Sequence, residues 1–231
     1  MPRALILAAG RGERMRPLTD HVPKPLLRVA GRSLIEWQVE RLIAGGFREL
    51  VVNHSHLGEM IESALGDGAR LGASIRYSHE PRALETAGAV VQALPLLGDQ
   101  PFAVVSADIH TEFDYATLLP GVAEIAGDPA RHAAHFVLVD NPDFHPRGDM
   151  GLARGRVVRE GPLLTYANIS IFHPAPFRDL PGGTPLKLFP WAYGLVEAGR
   201  VTGERYTGSW DNIGTPDQLA ALDRRLSQIQ R

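Results

Sequence analysis

Apolar residues along this chain come in short blocks of two kinds, and the two kinds alternate. Ala4 to Ala8 is an unbroken apolar run stopped by Gly10, the pattern of a strand buried on both faces. Ser33-Leu34-Ile35-Glu36 then has the capping-box spacing, and Leu34, Ile35, Leu42 and Ile43 fall on one helical face until Gly45-Gly46 ends it. Leu50 to Asn53 predicts a second strand, Leu57 to Leu65 a helix, Ser74 to Ser78 a third strand and Thr86 to Leu94 another helix. Phe102 to Ser106 is a compact apolar strand running straight into Asp108. Strands and helices alternating at these lengths predict an α/β fold, a Rossmann-like three-layer sandwich whose mainly parallel mixed sheet carries helices on both faces.

Beyond residue 140 the pattern loosens. Strands are expected at Val157-Val158 and from Tyr166 to Phe172, a helix from Leu186 to Ala198 despite Pro190, and a terminal helix from Pro216 to Ile229. No repeat or linker interrupts the 231 residues, so one domain, 1–231, is expected, with two halves meeting near residue 140.

Composition changes this picture mainly by exclusion. Hydrophobic residues at 44% and charged residues at 22% are ordinary for a globular protein. Lys and Arg number 24 against 26 Asp and Glu, a formal net charge of −2, which argues against nucleic acid held on a broad basic surface. With no cysteine there is no thiolate nucleophile, disulfide or cysteine-held metal, and the chemistry falls to oxygen and nitrogen groups. Neither a secretory leader nor a membrane-length apolar run is read, so a cytoplasmic protein without a membrane partner is expected.

The most informative stretch is Leu7-Ala8-Ala9-Gly10-Arg11-Gly12-Glu13-Arg14-Met15-Arg16-Pro17-Leu18-Thr19, followed by Pro23-Lys24-Pro25-Leu26. A triphosphate needs close backbone approach, free N–H donors and cations. Glycines just after a buried strand provide the first two, and Arg14 and Lys24 the third. A lone Gly-x-Gly is ordinarily a surface turn, but this one lies where the first strand of an α/β sheet ends, which is where such sheets bind ligands. Met15 stands where a dinucleotide fingerprint needs its third glycine, and the Gly-Lys-Ser/Thr ending of a P-loop is missing. Asp108, delivered by an apolar strand to the same edge, is either a turn or cap residue or a carboxylate for a divalent cation.

These residues, with Glu80-Pro81, Leu84-Glu85-Thr86-Ala87-Gly88-Ala89, Ser106-Ala107-Asp108 and Trp210-Asp211-Asn212-Ile213-Gly214-Thr215-Pro216, make the chain similar to the sugar-1-phosphate nucleotidyltransferase family over nearly its whole length. The resemblance implies the nucleotide-diphospho-sugar transferase fold, with residues 1–140 binding nucleotide and 141–231 binding sugar phosphate. It implies Arg14 and Lys24 as catalytic cations. Leu7, Ala8, Ala9, Gly10, Gly12 and Glu13 would border the nucleotide with them, and Glu80, Thr86, Ala87 and Gly88 would form the base-reading region, where Glu85 departs from the usual Gly. Gly148, Asp149, Thr165 and Asn168 fall where the family contacts the sugar phosphate, although on their own they read as a turn and ordinary strand polarity. Asp108 and Asn212 are the expected Mg²⁺ ligands. Many members have Asp at the second place, but the N-acetylglucosamine-1-phosphate uridylyltransferases have Asn, which favours Asn212 over Asp211.

Within the family, Asn53-His54, the Leu84-Glu85-Thr86 segment and Asp140-Asn141-Pro142 to Arg147-Gly148-Asp149 resemble members that join UTP to N-acetylmuramate 1-phosphate in peptidoglycan recycling. The expected partners are therefore UTP, or another NTP, and a sugar 1-phosphate, with homo-oligomerisation left open. No appended β-helix, and so no acetyltransferase activity, is expected. Ser78-His79-Glu80 also resembles mannose-1-phosphate guanylyltransferases, the rival reading, and a noncatalytic nucleotide-sugar sensor is the rival of another class. The nine histidines and three tryptophans read as surface or packing residues.

Overall fold

In the computed structural model, which describes residues 1–229, the buried apolar run forms β1 (Arg3–Leu7) at the heart of a nine-stranded sheet. A small antiparallel ribbon, β2 (Arg28–Val29) and β3 (Arg32–Ser33), leads into α1 (Leu34–Ala44). The capping box closes as read: Ser33 Oγ accepts from Glu36 N at 3.3 Å, and Glu36 Oε2 accepts from Ser33 N at 3.1 Å. There follow β4 (Glu49–His54), α2 (Gly58–Leu65), β5 (Ser74–His79), α3 (Glu85–Leu97) and β6 (Phe102–Ser106). The helix expected to end at Leu94 continues for another turn, with Pro95 near its end.

After β6 come β7 (Ile109–Thr111), α4 (Leu119–Gly127), β8 (Ala134–Val139), β9 (Met150–Ala153), β10 (Arg156–Val158) and β11 (Leu163–Phe172). Then follow α5 (Leu188–Glu197), β12 (Val201–Tyr206), β13 (Trp210–Asn212) and α6 (Pro216–Ile229). The helix expected from Leu186 starts later. Phe189 is extended, with ψ 135°, so Pro190 falls in the first regular turn, where a missing N–H costs nothing.

The sheet order is β5-β4-β1-β6-β11-β8-β12-β10-β9. From β5 to β6 all neighbours are parallel, and so is the β8–β12 pair; β11 runs antiparallel to both β6 and β8. The mixed sheet thus keeps its parallel core in the first 106 residues. At its far end it curls, and β9 pairs back onto Leu163 and Leu164 of β11.

Alternation along β1 shows why its sequence is apolar throughout. Ala4 and Ile6 pack into a core shared with Ile35, Val39 and Leu42 of α1, Ile61 of α2 and Ile125 of α4. Leu5 faces the opposite core, with Ala87, Val90 and Ala93 of α3 and Leu188, Ala192 and Val196 of α5. A third cluster joins Leu222 and Leu226 of α6 to Met15, Val29, Leu34 and Ile213. Met15, in the position that spoils a dinucleotide fingerprint, is fully buried and anchors the Gly-rich loop from below.

Candidate active site

Three parallel strands end at one point. Leu7 of β1 stands in register with Asn53 of β4 and Ser106 of β6, and Ala107 N donates to Leu7 O at 3.0 Å. The carboxyl edge of the sheet opens into a cavity of ≈ 360 Å³. Leu7, Ala8, Ala9 and Gly10 line one wall, Glu80, Glu85 and Thr86 another, and Lys24 and Asp108 a third. Gly12, Glu13, Arg14, Ala87 and Gly88, also expected at the nucleotide, are not part of this lining.

Gly12 turns the loop with φ 64°, and a Cβ there would sit 3.1 Å from Lys24 Cβ and 3.0 Å from Thr19 Cγ2. Its carbonyl accepts from Thr19 Oγ1 at 2.8 Å and from Met15 N at 2.8 Å. Glu13 and Arg14 are exposed, and a methyl group on Gly214 would lie 3.1 Å from Arg14 Nη2, so that guanidinium reaches the β13–α6 connection. Lys24 sits in a single helical turn, Lys24–Leu26, with its side chain only 10% exposed and Nζ 2.5 Å from Asp108 Oδ2. A cation this buried needs a charged partner, and it has one at the floor of the cavity.

Asp108 is held from two sides. Gln38 Nε2, on the buried face of α1, donates to Ser106 O at 3.2 Å and to Ile109 O at 2.8 Å, while Gln38 Oε1 accepts from Tyr115 Oη at 2.8 Å. From above, Ile213 N donates to Asp108 O at 2.8 Å, and β13 pairs with β7 so that Asn212 stands opposite Ile109. Asp211 is engaged with Arg225 on α6. Successive strand side chains face opposite ways, so Asn212 projects from the other face, the one from which Trp210 Nε1 reaches Ala167 O at 2.9 Å. Asp108 stands in the turn after β6 and lines the cavity, whereas Asn212 lies outside that lining, in a neighbouring pocket with Trp210 and Ile213. A carboxylate and an amide oxygen are donor types that fit Mg²⁺, which takes few protein ligands and completes its shell with phosphate and water. No cluster of three or more His, Cys, Asp and Glu able to hold a metal occurs among the described residues. His110, buried beside Arg41, has its pKa pushed down to about 4 by burial first and that cation second, so it is a neutral packing group.

On the base side, both oxygens of Glu80 have internal partners. Asn53 Nδ2 donates to Oε1 at 2.7 Å and Leu84 N donates to Oε2 at 2.8 Å, while Asn53 Oδ1 accepts from Ala8 N at 2.6 Å. Burial raises the Glu80 pKa, with those two hydrogen bonds opposing it. Ala87 N and Gly88 N both donate to Leu186 O, and a Cβ on Gly88 would meet Thr184 O at 2.6 Å. Those two residues therefore bind the 184–186 segment through their amides.

The four sugar-side candidates lie outside the cavity lining, on the loop and strand beyond it. Asp149 Oδ2 accepts from Tyr166 N at 2.8 Å, Thr165 Oγ1 donates to Asn141 Oδ1 at 2.9 Å, and Gly148 packs against Asn141 and β11. Asn168 has φ 58° at the point where β11 shifts register against β8, a bulge that re-aims side chains beside Trp210 and its strand. Asn53 and Gln38 are the residues that sequence reasoning passed over. The first was read as a strand end and as part of the family resemblance but not as a site residue, and the second sits on an apolar helical face.

A model of the family described as nucleotidyl transferase matches residues 3–143, more than half of the chain. The chain belongs to the nucleotidyl transferase family. As a member it is 47% identical to an N-acetylmuramate alpha-1-phosphate uridylyltransferase of Neisseria meningitidis, over 94% of this chain and 95% of the relative. It is 34% identical to a protein of the same name from Caulobacter vibrioides, over 97% of each. A putative glucose-1-phosphate thymidylyltransferase from Bacillus anthracis superposes with TM-score 0.82 at 22% identity, covering 98% of this chain and 96% of that one, so this nucleotidyl transferase shares its fold. No described helix is long and apolar enough to cross a membrane.

Proposed function

We propose that this nucleotidyl transferase joins UTP to N-acetylmuramate 1-phosphate, giving UDP-N-acetylmuramate and pyrophosphate, and serves peptidoglycan recycling in the cytoplasm. The observation that carries the reading is the pairing of buried Lys24 with half-buried Asp108, 2.5 Å apart, beneath a Gly-rich loop at the carboxyl edge of a parallel sheet. That arrangement suits two anions that must react with each other. The choice of base and sugar is supported by the two bacterial relatives, each similar along essentially the whole chain.

In the proposed reaction an oxygen of the sugar phosphate bonds to the α-phosphorus of UTP, in line, as the bond to the departing pyrophosphate breaks. Loop amides from Gly10 to Gly12 cradle the triphosphate, and Lys24 and Arg14 set cationic charge against it. Mg²⁺ held by Asp108 and Asn212 would supply further neutralisation of the phosphates. The walls from Ala8 to Gly10 and from Glu85 to Thr86 enclose the base, and Gly148, Asp149, Thr165 and Asn168 organise the sugar side.

Pyrophosphate release tests the reading directly. The purified protein is given UTP with N-acetylmuramate 1-phosphate in one mixture and GTP with mannose 1-phosphate in another, each with magnesium. Release in the first mixture is expected; release only in the second overturns the uridylyl assignment. Tight product binding without turnover on any sugar phosphate would turn the reading to a nucleotide-sugar sensor.

A further inference from the structure

Asn53 and Glu80 form a buried relay between two walls of the cavity. Asn53 is 2% exposed and Glu80 1%, and between them they bind Ala8 N on the phosphate-loop side and Leu84 N at the start of α3. Glu80 is also pinned through its own amide, which donates to His54 O at 2.8 Å. We propose that Asn53 and Glu80 are positioning residues, a clasp that sets the distance between the loop at Ala8 and the turn at Leu84 and so the nucleoside triphosphate that fits between them.

The polarity of the relay is forced. Ala8 and Leu84 both point N–H donors at it, and a backbone amide cannot reverse. The two side chains between must therefore offer an acceptor at each end and one donor–acceptor pair in the middle. Asn at 53 with Glu at 80 meets that demand. Glu80→Gln alone sets two amide donors face to face, unless Asn53 flips and abandons Ala8 or the new Gln flips and abandons Leu84; one of the three hydrogen bonds is lost in every case. Asn53→Asp alone sets two carboxylates face to face. The pair of changes together restores all three hydrogen bonds with the middle one reversed, and leaves the net charge as it was.

This logic separates the clasp from direct base recognition by Glu80. A carboxylate that touches the base is lost equally in Glu80→Gln and in the double variant, whereas a clasp is broken in the first and rebuilt in the second. The proposal rests on reading the cavity as the nucleotide site. The two fail differently, because a wild-type protein that binds no nucleoside triphosphate removes that reading and the clasp with it.

The test is isothermal titration calorimetry of the whole chain with UTP, dTTP, CTP and GTP in magnesium, alongside thermal unfolding. The wild type defines a ratio between its best-bound and next-best nucleotide, whichever they are. Each single variant is expected to bind the best nucleotide about tenfold more weakly and to narrow the ratio, and the double variant to return within about threefold of wild type on both. Two results would overturn the proposal: a double variant no better than Glu80→Gln, or folded single variants whose ratio is unchanged while only the melting temperature falls. A single variant too unstable to purify leaves the double variant to decide. Wild-type discrimination there, without the Glu80 carboxylate, supports the clasp, and its loss overturns it.

Discussion

Lys24 Nζ donates to Asp108 Oδ2, and that contact bears on metal binding. A divalent cation approaching Asp108 would compete with an ammonium 2.5 Å from Oδ2, and in the proposed complex a triphosphate would draw the lysine away. Lys24→Met is therefore expected to lower kcat/KM about a hundredfold or more while raising the affinity of the nucleotide-free protein for Mn²⁺, read by electron paramagnetic resonance of the free ion. Unchanged or weaker Mn²⁺ binding would contradict the pairing. Both residues were singled out in the sequence, Lys24 by the Pro-Lys-Pro-Leu element after a Gly-rich loop and Asp108 by its place past an apolar strand together with the family resemblance, and the fold brings the two into contact. Asn53 was not singled out as a site residue. A polar residue at a strand end ordinarily meets solvent, and nothing local tells that its partners are Ala8 and Glu80, 45 and 27 residues away.

Among the elements, α1 does more than cover the sheet. Its Gln38 satisfies two carbonyls of the turn that presents Asp108 and accepts from Tyr115. Gln38→Leu fits an apolar helical face by pattern but leaves those groups buried and unpaired, a cost of about 2 kcal/mol. Urea unfolding at constant m is expected to report that loss, together with a lower kcat; an unaltered midpoint would show that the turn holds Asp108 unaided. The first half of the fold was readable because β1, β4 and β6 are buried on both faces, the edge strand β5 alternates, and each helix has a clear stop. The pattern missed β7 and β13, which are three residues each and exist through pairing with one another. It also missed β12, whose Thr202, Glu204 and Arg205 carry no apolar signal and which is held by a parallel ladder to β8.

For the whole molecule, the sheet and the third cluster divide the labour. Strand ends bring Asn53, Ala8 and Asp108 to one edge, and α6 buries Leu222 against Met15 and Ile213, tying the Gly-rich loop to the strand that bears Asn212. Residues before and after 140 interleave in one continuous sheet, β11 lying between β6 and β8 and β12 beyond β8, so a loop from one half can face a bulge from the other. The central claim is that a triphosphate lies in this cleft, against the loop and above Asp108. The most direct measurement is a crystal structure with UTP and magnesium bound. The triphosphate is expected along the amides of Gly10 to Gly12, with Lys24 Nζ moved from Asp108 to a phosphate oxygen. A triphosphate bound elsewhere, with Lys24 still on Asp108, would contradict it.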